Sequence, residues 1–194
     1  SHYPEVTLYS YSNDVYPAYE LLRKTLGDIT FGLFVLPYDS EEACVYPDFL
    51  PPKGYNISIL STFRYSACVS KKSSFASYKK ISIHTLLQRP LVTLATSDYL
   101  YDTALLYSVK QYTNSYKISY ATPSVENFVH AILNDKGVTL GSPYFSDTNK
   151  EGLMFIPIKE KIEAAVCLIF PQVESSLADI FIEKVFEHFG AGKY

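Results

Sequence analysis

Between Lys117 and Gly141 the chain reads as a strand, a sharp turn, a helix and a second strand, all within twenty-five residues. Thr122 followed by Pro123 is a helix start. The threonine oxygen can accept from a free backbone N–H, and proline costs little at the first helical position because its missing donor would be unpaired anyway. Val125, Phe128, Val129, Ile132 and Leu133 then fall on one helical face, which predicts a helix buried along that side. Gly137, after Asn134-Asp135-Lys136, is placed to take the left-handed conformation that ends it, and Val138-Thr139-Leu140 resumes as strand. The turn end of this unit presents unpaired amides and a partial positive charge beside small hydroxyl side chains, a setting suited to a carboxylate or another anion.

The remainder of the chain repeats this logic. Val6 and Leu8 alternate with polar residues as in a strand, and Tyr11-Ser12-Asn13-Asp14 is a cap-rich turn. Ala18, Leu21, Leu22 and Leu26 mark a helix stopped by Gly27. Ile29 to Leu36 is apolar at both alternating sets, predicting a strand covered on two faces. Strand, helix and strand at this spacing predict a parallel right-handed crossover. Residues 37–56 hold Pro37, Pro47, Pro51, Pro52 and Gly54 and read as loop. One long strand is expected from Asn56 to Val69, a polar crossing over Lys71–Lys80, and a short helix over Ile83–Leu87. A second strand-and-helix unit runs from Leu91-Val92-Thr93-Leu94-Ala95, through the turn Thr96-Ser97-Asp98, to Leu105, Leu106 and Val109. Residues 142–152 read as loop, Met154-Phe155-Ile156 and Ile162–Phe170 as strands. Leu177, Ile180, Phe181, Val185 and Phe189 place a final amphipathic helix before Gly190.

Two alternating series joined by a strand out and a strand back predict two Rossmann-like α/β lobes with two crossovers: 1–69 plus 169–194 as lobe I, and 70–168 as lobe II. Small ligands bind between such lobes, at the C-terminal ends of parallel strands. Three turns should meet there: Ser10 to Asp14, Thr96 to Tyr99 and Ala121 to Ser124.

Composition narrows the function classes. A net charge of −3 and a pI near 5.8 argue against this piece gripping nucleic acid through its phosphates. The longest apolar run, Ala164 to Phe170, is seven residues and too short to cross a bilayer, and no secretory leader is read. Cys44, Cys68 and Cys167 form no CxxC, so no metal knuckle is expected, and Cys68 and Cys167 read as buried hydrophobes. His130 and His188 lie on predicted helices without metal-ligand partners at i+4, and no cofactor or metal motif is found. A cytoplasmic location fits this cysteine usage.

The order of motifs resembles the effector-binding domain of LysR-type transcriptional regulators, a type 2 periplasmic-binding-protein-like fold. Tyr3-Pro4-Glu5-Val6-Thr7-Leu8 is similar to the family's "YPxVxL" strand, and Leu21-Leu22 through Gly27-Asp28-Ile29 to its "LLxxGxLDLAI" step. Lys80 to Leu87 with Arg89-Pro90-Leu91-Val92 resembles its "xxLxDLxxxPLI" entry into the second lobe. Ser124 to Gly141 resembles its "SxExIxxxVxxGxGIxLLP" unit, although Leu140-Gly141-Ser142-Pro143 replaces the "LLP" ending. Against the family pattern, the first strand and helix should precede Tyr3, and the winged helix-turn-helix is absent from this chain.

The resemblance implies a small polar or anionic effector held by Ser10, Tyr11, Ser12, Asn13, Thr96, Ser97, Asp98, Tyr99, Thr122, Pro123 and Ser124. It implies no catalytic residue, metal or cofactor, a homodimer or higher assembly, contact with DNA only through the missing N-terminal domain, and no membrane partner. The competing readings are a solute-binding receptor of a transport system, and an enzyme on this scaffold using Asp98 and Glu126. A helix-turn-helix upstream selects the regulator, a secretory leader the receptor.

Overall fold

The alternation of Phe34 and Leu36 with Leu33 and Val35 makes strand β1 (Gly32–Asp39), whose inward set is buried. The computed structural model describes residues 21, 22, 24, 30–94, 103–148, 151–172 and 174–190. β1 pairs antiparallel with β2 (Cys44–Val45) on one side and with β9 (Glu163–Pro171) on the other. Beyond β9 lies β3 (Tyr55–Arg64), also antiparallel, so the first sheet runs β2-β1-β9-β3. The parallel crossover expected before β1 lies outside the described residues, except that Leu21, Leu22 and Lys24 are helical and Leu22 is buried in this lobe's core.

The second lobe centres on β4 (Ser66–Ser70), flanked by β7 (Thr139–Gly141) and β8 (Leu153–Pro157), both antiparallel to it. β5 (Leu91–Leu94) and β6 (Ile118–Thr122) run parallel to each other. β5 also meets the residue before β7: Val92 N–H donates to the Val138 carbonyl at 2.8 Å, and Val138 N–H to that of Pro90 at 2.9 Å. The array therefore continues β6-β5-β7-β4-β8. Its helices are α1 (Ile83–Leu86), α2 (Thr103–Lys110), α3 (Val125–Leu133) and α4 (Pro143–Thr148), and α5 (Ser176–Phe189) returns to lobe I.

β4 is covered on both faces. Ala67 and Val69 enter a core with Ile81, Leu86, Leu91, Leu105, Leu106 and Val109, while Cys68 enters a second core with Val92, Phe128, Ala131 and Ile132. In lobe I, Ala165, Cys167 and Ile169 of β9 face Phe34, Leu36 and Phe49. The opposite face carries Val166 and Leu168, which with Leu60 pack under Phe186 of α5.

Several expectations are corrected. The strand expected over Asn56–Val69 breaks at Tyr65, whose N–H donates to the Ile162 carbonyl at 2.9 Å. β3 belongs to the first sheet and β4 to the second, so the chain changes lobes at that residue and returns just before β9. β1 is covered on one face only, since Leu33 is 59% exposed. On that face α5 lies over β3 and β9 and extends as far as Phe31, whose ring stacks 4.3 Å from Phe181. The loop expected over 142–152 contains α4. Ser142 Oγ accepts from Phe145 N–H at 3.2 Å and Pro143 opens the helix, the same start signal that was read at Thr122-Pro123. On α5, Ile180 is 36% exposed, because Ala178 and Phe186 set the buried face.

Candidate functional site

The two parallel strands of lobe II end together, since Leu94 pairs with Thr122. The turn that follows β6 is held by two side-chain caps in series. Thr122 Oγ1 accepts from Ser124 N–H at 3.2 Å, and Ser124 Oγ accepts from Asn127 N–H at 3.2 Å. Ser124, with extended backbone, is therefore the helix cap, and Pro123 sits one residue outside the helix instead of opening it. Thr122 is 6% exposed, Pro123 is exposed and Ser124 half-buried, so the hydroxyl of Ser124 and the first-turn amides lie at the open end of the unit. Val125, expected on the buried face, is 53% exposed beside them, and the helix is instead seated by Phe128, Ala131 and Ile132. A helix start of this kind favours negative charge through its free N–H groups and its dipole.

Gly137 does not take the left-handed conformation. Asp135 does, at φ 52°, pinned by Arg89, whose guanidinium donates to its carbonyl at 2.6 Å and its carboxylate at 3.1 Å. Glycine is needed at 137 for closeness: a Cβ there would stand 2.4 Å from the Pro90 carbonyl oxygen and 3.0 Å from Val92 Cγ2. That contact seats the α3–β7 connection against the start of β5.

Of the residues expected to line the site, Thr122, Pro123 and Ser124 are placed at this strand end. Ser10, Tyr11, Ser12, Asn13, Thr96, Ser97, Asp98 and Tyr99 lie outside the described residues. Thr96 follows two residues after Leu94, the partner of Thr122. A concavity of about 340 Å³ opens among Ser70, Lys71, Lys72, His130, Leu133, Asn134 and Gly152. It lies against the C-terminus of α3, away from the capped helix start, with Lys71 and Lys72 in its lining. Its hydroxyl is already committed, as Ser70 Oγ donates to the Leu133 carbonyl at 3.1 Å.

The crossing between lobes carries, among the described residues, a carboxylate held away from its ordinary value. Burial pushes Glu163 upward, but hydrogen bonds from Ser40 and Arg64 and the charges of Arg64 and Lys161 outweigh it, holding the group below the usual carboxylate range. Arg64 Nε donates to Glu163 at 2.8 Å. Burial pushes the Cys68 and Cys167 thiols up to about 12, so neither is a nucleophile at neutral pH. Among the described residues no cluster of three or more metal-ligating side chains is found, and no helix is long and apolar enough to cross a membrane.

Compared with known proteins, residues 1–190 match the family described as LysR substrate binding domain. Similar solved structures include a regulator of that family from Pseudomonas aeruginosa, PA01 protein, at 15% identity and TM-score 0.64, covering 88% of this chain and 57% of that one. The effector-binding domain of a BenM variant aligns at 12% identity and TM-score 0.70 over 98% of this chain and 86% of that one. The CcmR regulatory domain of Synechocystis PCC6803 in complex with 2-PG aligns at 14% identity and TM-score 0.62, covering 88% and 79%. At such identities the structures show the shared two-lobed fold. The chain spans little more than half the length of the Pseudomonas regulator. No curated protein sequence matches.

Proposed function

This chain belongs to the LysR substrate-binding domain family, and from that premise we propose that it senses a small polar or anionic metabolite for a bacterial transcription regulator. The observation that carries this reading is the pair of parallel strands of lobe II ending at the doubly capped helix start of Thr122 and Ser124. An anionic or hydrogen-bonding group there meets amides already oriented by the caps. The remaining contacts of the proposed pocket come from Ser10 to Asn13 and Thr96 to Tyr99. That a relative's regulatory domain holds 2-PG supports a small ligand of this kind.

The division of lobes in this reading follows the sheets, with crossings at Tyr65 and just before Glu163 in place of the limits at 69 and 169. The effector favours one arrangement of the lobes, and paired subunits carry that preference to DNA-binding domains supplied outside this chain, in the cytoplasm. Only a difference in affinity between the two arrangements can drive such a shift. A transport receptor shares the fold, and membership of this family supports a regulator domain over a receptor or an enzyme.

Calorimetry against a panel of polar and anionic metabolites tests the site. For a hit, Thr96→Ala and Thr122→Ala should each weaken binding by about tenfold, the loss of a hydrogen bond to a charged group. A hit whose affinity survives both substitutions places the ligand elsewhere.

A further inference from the structure

The lobes touch at more than their two connecting segments. α2 buries Leu105, Leu106 and Val109 in the core of lobe II, yet its Tyr107 packs against the core of lobe I. The Tyr107 ring meets Tyr46 edge-on at 5.2 Å and Phe49 at 5.0 Å, where α2 lies against β1 of the first sheet. At the β3 edge, Tyr144 of α4 reaches the other way. Its hydroxyl lies 2.9 Å from Ser61 Oγ and its ring stands perpendicular to Phe63 at 5.8 Å. Tyr46 and Phe49 pack with Ala165 and Cys167 on one face of the sheet. Ser61 and Phe63 sit opposite Val166 and Ala164, on the other face.

These two contacts stand on opposite faces of the sheet, one toward its β1 side and the other at β3. They differ in kind. Tyr107 is half-buried and lays its ring against a core, on Tyr46 and Phe49, whereas Tyr144 is 49% exposed and adds to its Phe63 ring contact a hydroxyl contact to Ser61 that water can replace. We propose that Tyr107 is a fixed pivot and Tyr144 a releasable latch, which together set the spacing of the lobes before any ligand arrives. A rearrangement of the lobes then turns about Tyr107 and opens or closes at Tyr144. This deepens the sensor reading, on which its regulatory meaning rests, by naming the contact whose making and breaking distinguishes the two arrangements.

The test uses the ligand-free chain with nitroxide labels at Lys53→Cys in lobe I and Lys79→Cys in lobe II, both exposed positions, in a Cys44→Ser background. Cys68 and Cys167 are fully buried and escape labelling. Electron–electron distance measurements should give one narrow distribution for the parent. Tyr144→Ala should add a second population displaced by more than ~2 Å, and Tyr144→Phe, which keeps the ring, a smaller fraction of it. Tyr107→Leu should shift the main distance itself. Distributions identical to the parent for both Tyr144→Ala and Tyr107→Leu would overturn the proposal. No ligand enters this experiment, so its failure leaves the sensor reading standing, and an empty metabolite panel leaves the latch standing.

Discussion

Replacing Gly137 by alanine tests how the site-bearing unit is seated. The added Cβ would approach the Pro90 carbonyl oxygen to 2.4 Å, almost 1 Å inside an ordinary C···O contact of about 3.3 Å. The obstacle is backbone, and that carbonyl already accepts from Val138 N–H at 2.9 Å, so relief requires loosening the bond that joins β5 to β7. Forced overpacking of this kind costs about 1–3 kcal/mol. The gain from a stiffer unfolded chain, about 0.4–1 kcal/mol, offsets part of it. The net expectation is a loss of about 1–2 kcal/mol, read as a lower urea midpoint with an unchanged slope. Thermally this corresponds to roughly 2–8 °C for a chain of this size. Gly137→Asn separates the two accounts of this glycine. Asparagine tolerates the left-handed region, so if Gly137 ended the helix in that conformation, asparagine would be milder than alanine. If closeness is the requirement, asparagine is at least as damaging. An unchanged midpoint for alanine, or a clear advantage for asparagine, refutes the reasoning.

Two further expectations follow from burial and charge. Ile132 has no exposed surface and anchors α3 against β4 and β5, so Ile132→Ala should cost about 2–5 kcal/mol by chemical denaturation. Glu163 is held below the usual carboxylate range when folded, so the stability it contributes is present above its unfolded pKa of about 4.3 and is lost as pH falls through the lower folded value. Glu163→Gln should therefore be less stable than the parent at neutral pH, with the gap closing in acid. A gap that widens below pH 4 would contradict the assignment.

The framework of this chain was legible before any coordinates because it depends on neighbours in sequence. Short strands, capped helices and the order of units came from periodicity and from Ser, Thr, Pro and Gly at their ends. α1 stands within Ile83–Leu87 and α5 ends at Gly190, as read, with Ser82 and Ser175 as their caps in the structure. Where prediction slipped, a local rule met a distant partner. The run Asn56–Val69 carries no breaker, and it divides at Tyr65 because residues up to Arg64 pair with β9 while those from Ser66 pair with β7 and β8. The helix over 143–148 was legible in Ser142-Pro143 and missed. The role of Gly137 was not, since nothing nearby in sequence tells of the Pro90 oxygen. Of the site, Thr122 to Ser124 were placed correctly as a turn but with the cap shifted by two residues, because either hydroxyl satisfies the local rule and packing of Phe128 and Ile132 sets the helix phase.

Sequence by itself determined the alternating strands and helices of lobe II and the polar turn between β6 and α3, since capping and amphipathic period act over a few residues. Tertiary structure alone decided which strands share a sheet, which glycine is close to what, and that Tyr107 and Tyr144 reach across to the other lobe. Those depend on contacts between residues 46 and 107, or 61 and 144, and separations of that length leave no periodic trace in a sequence.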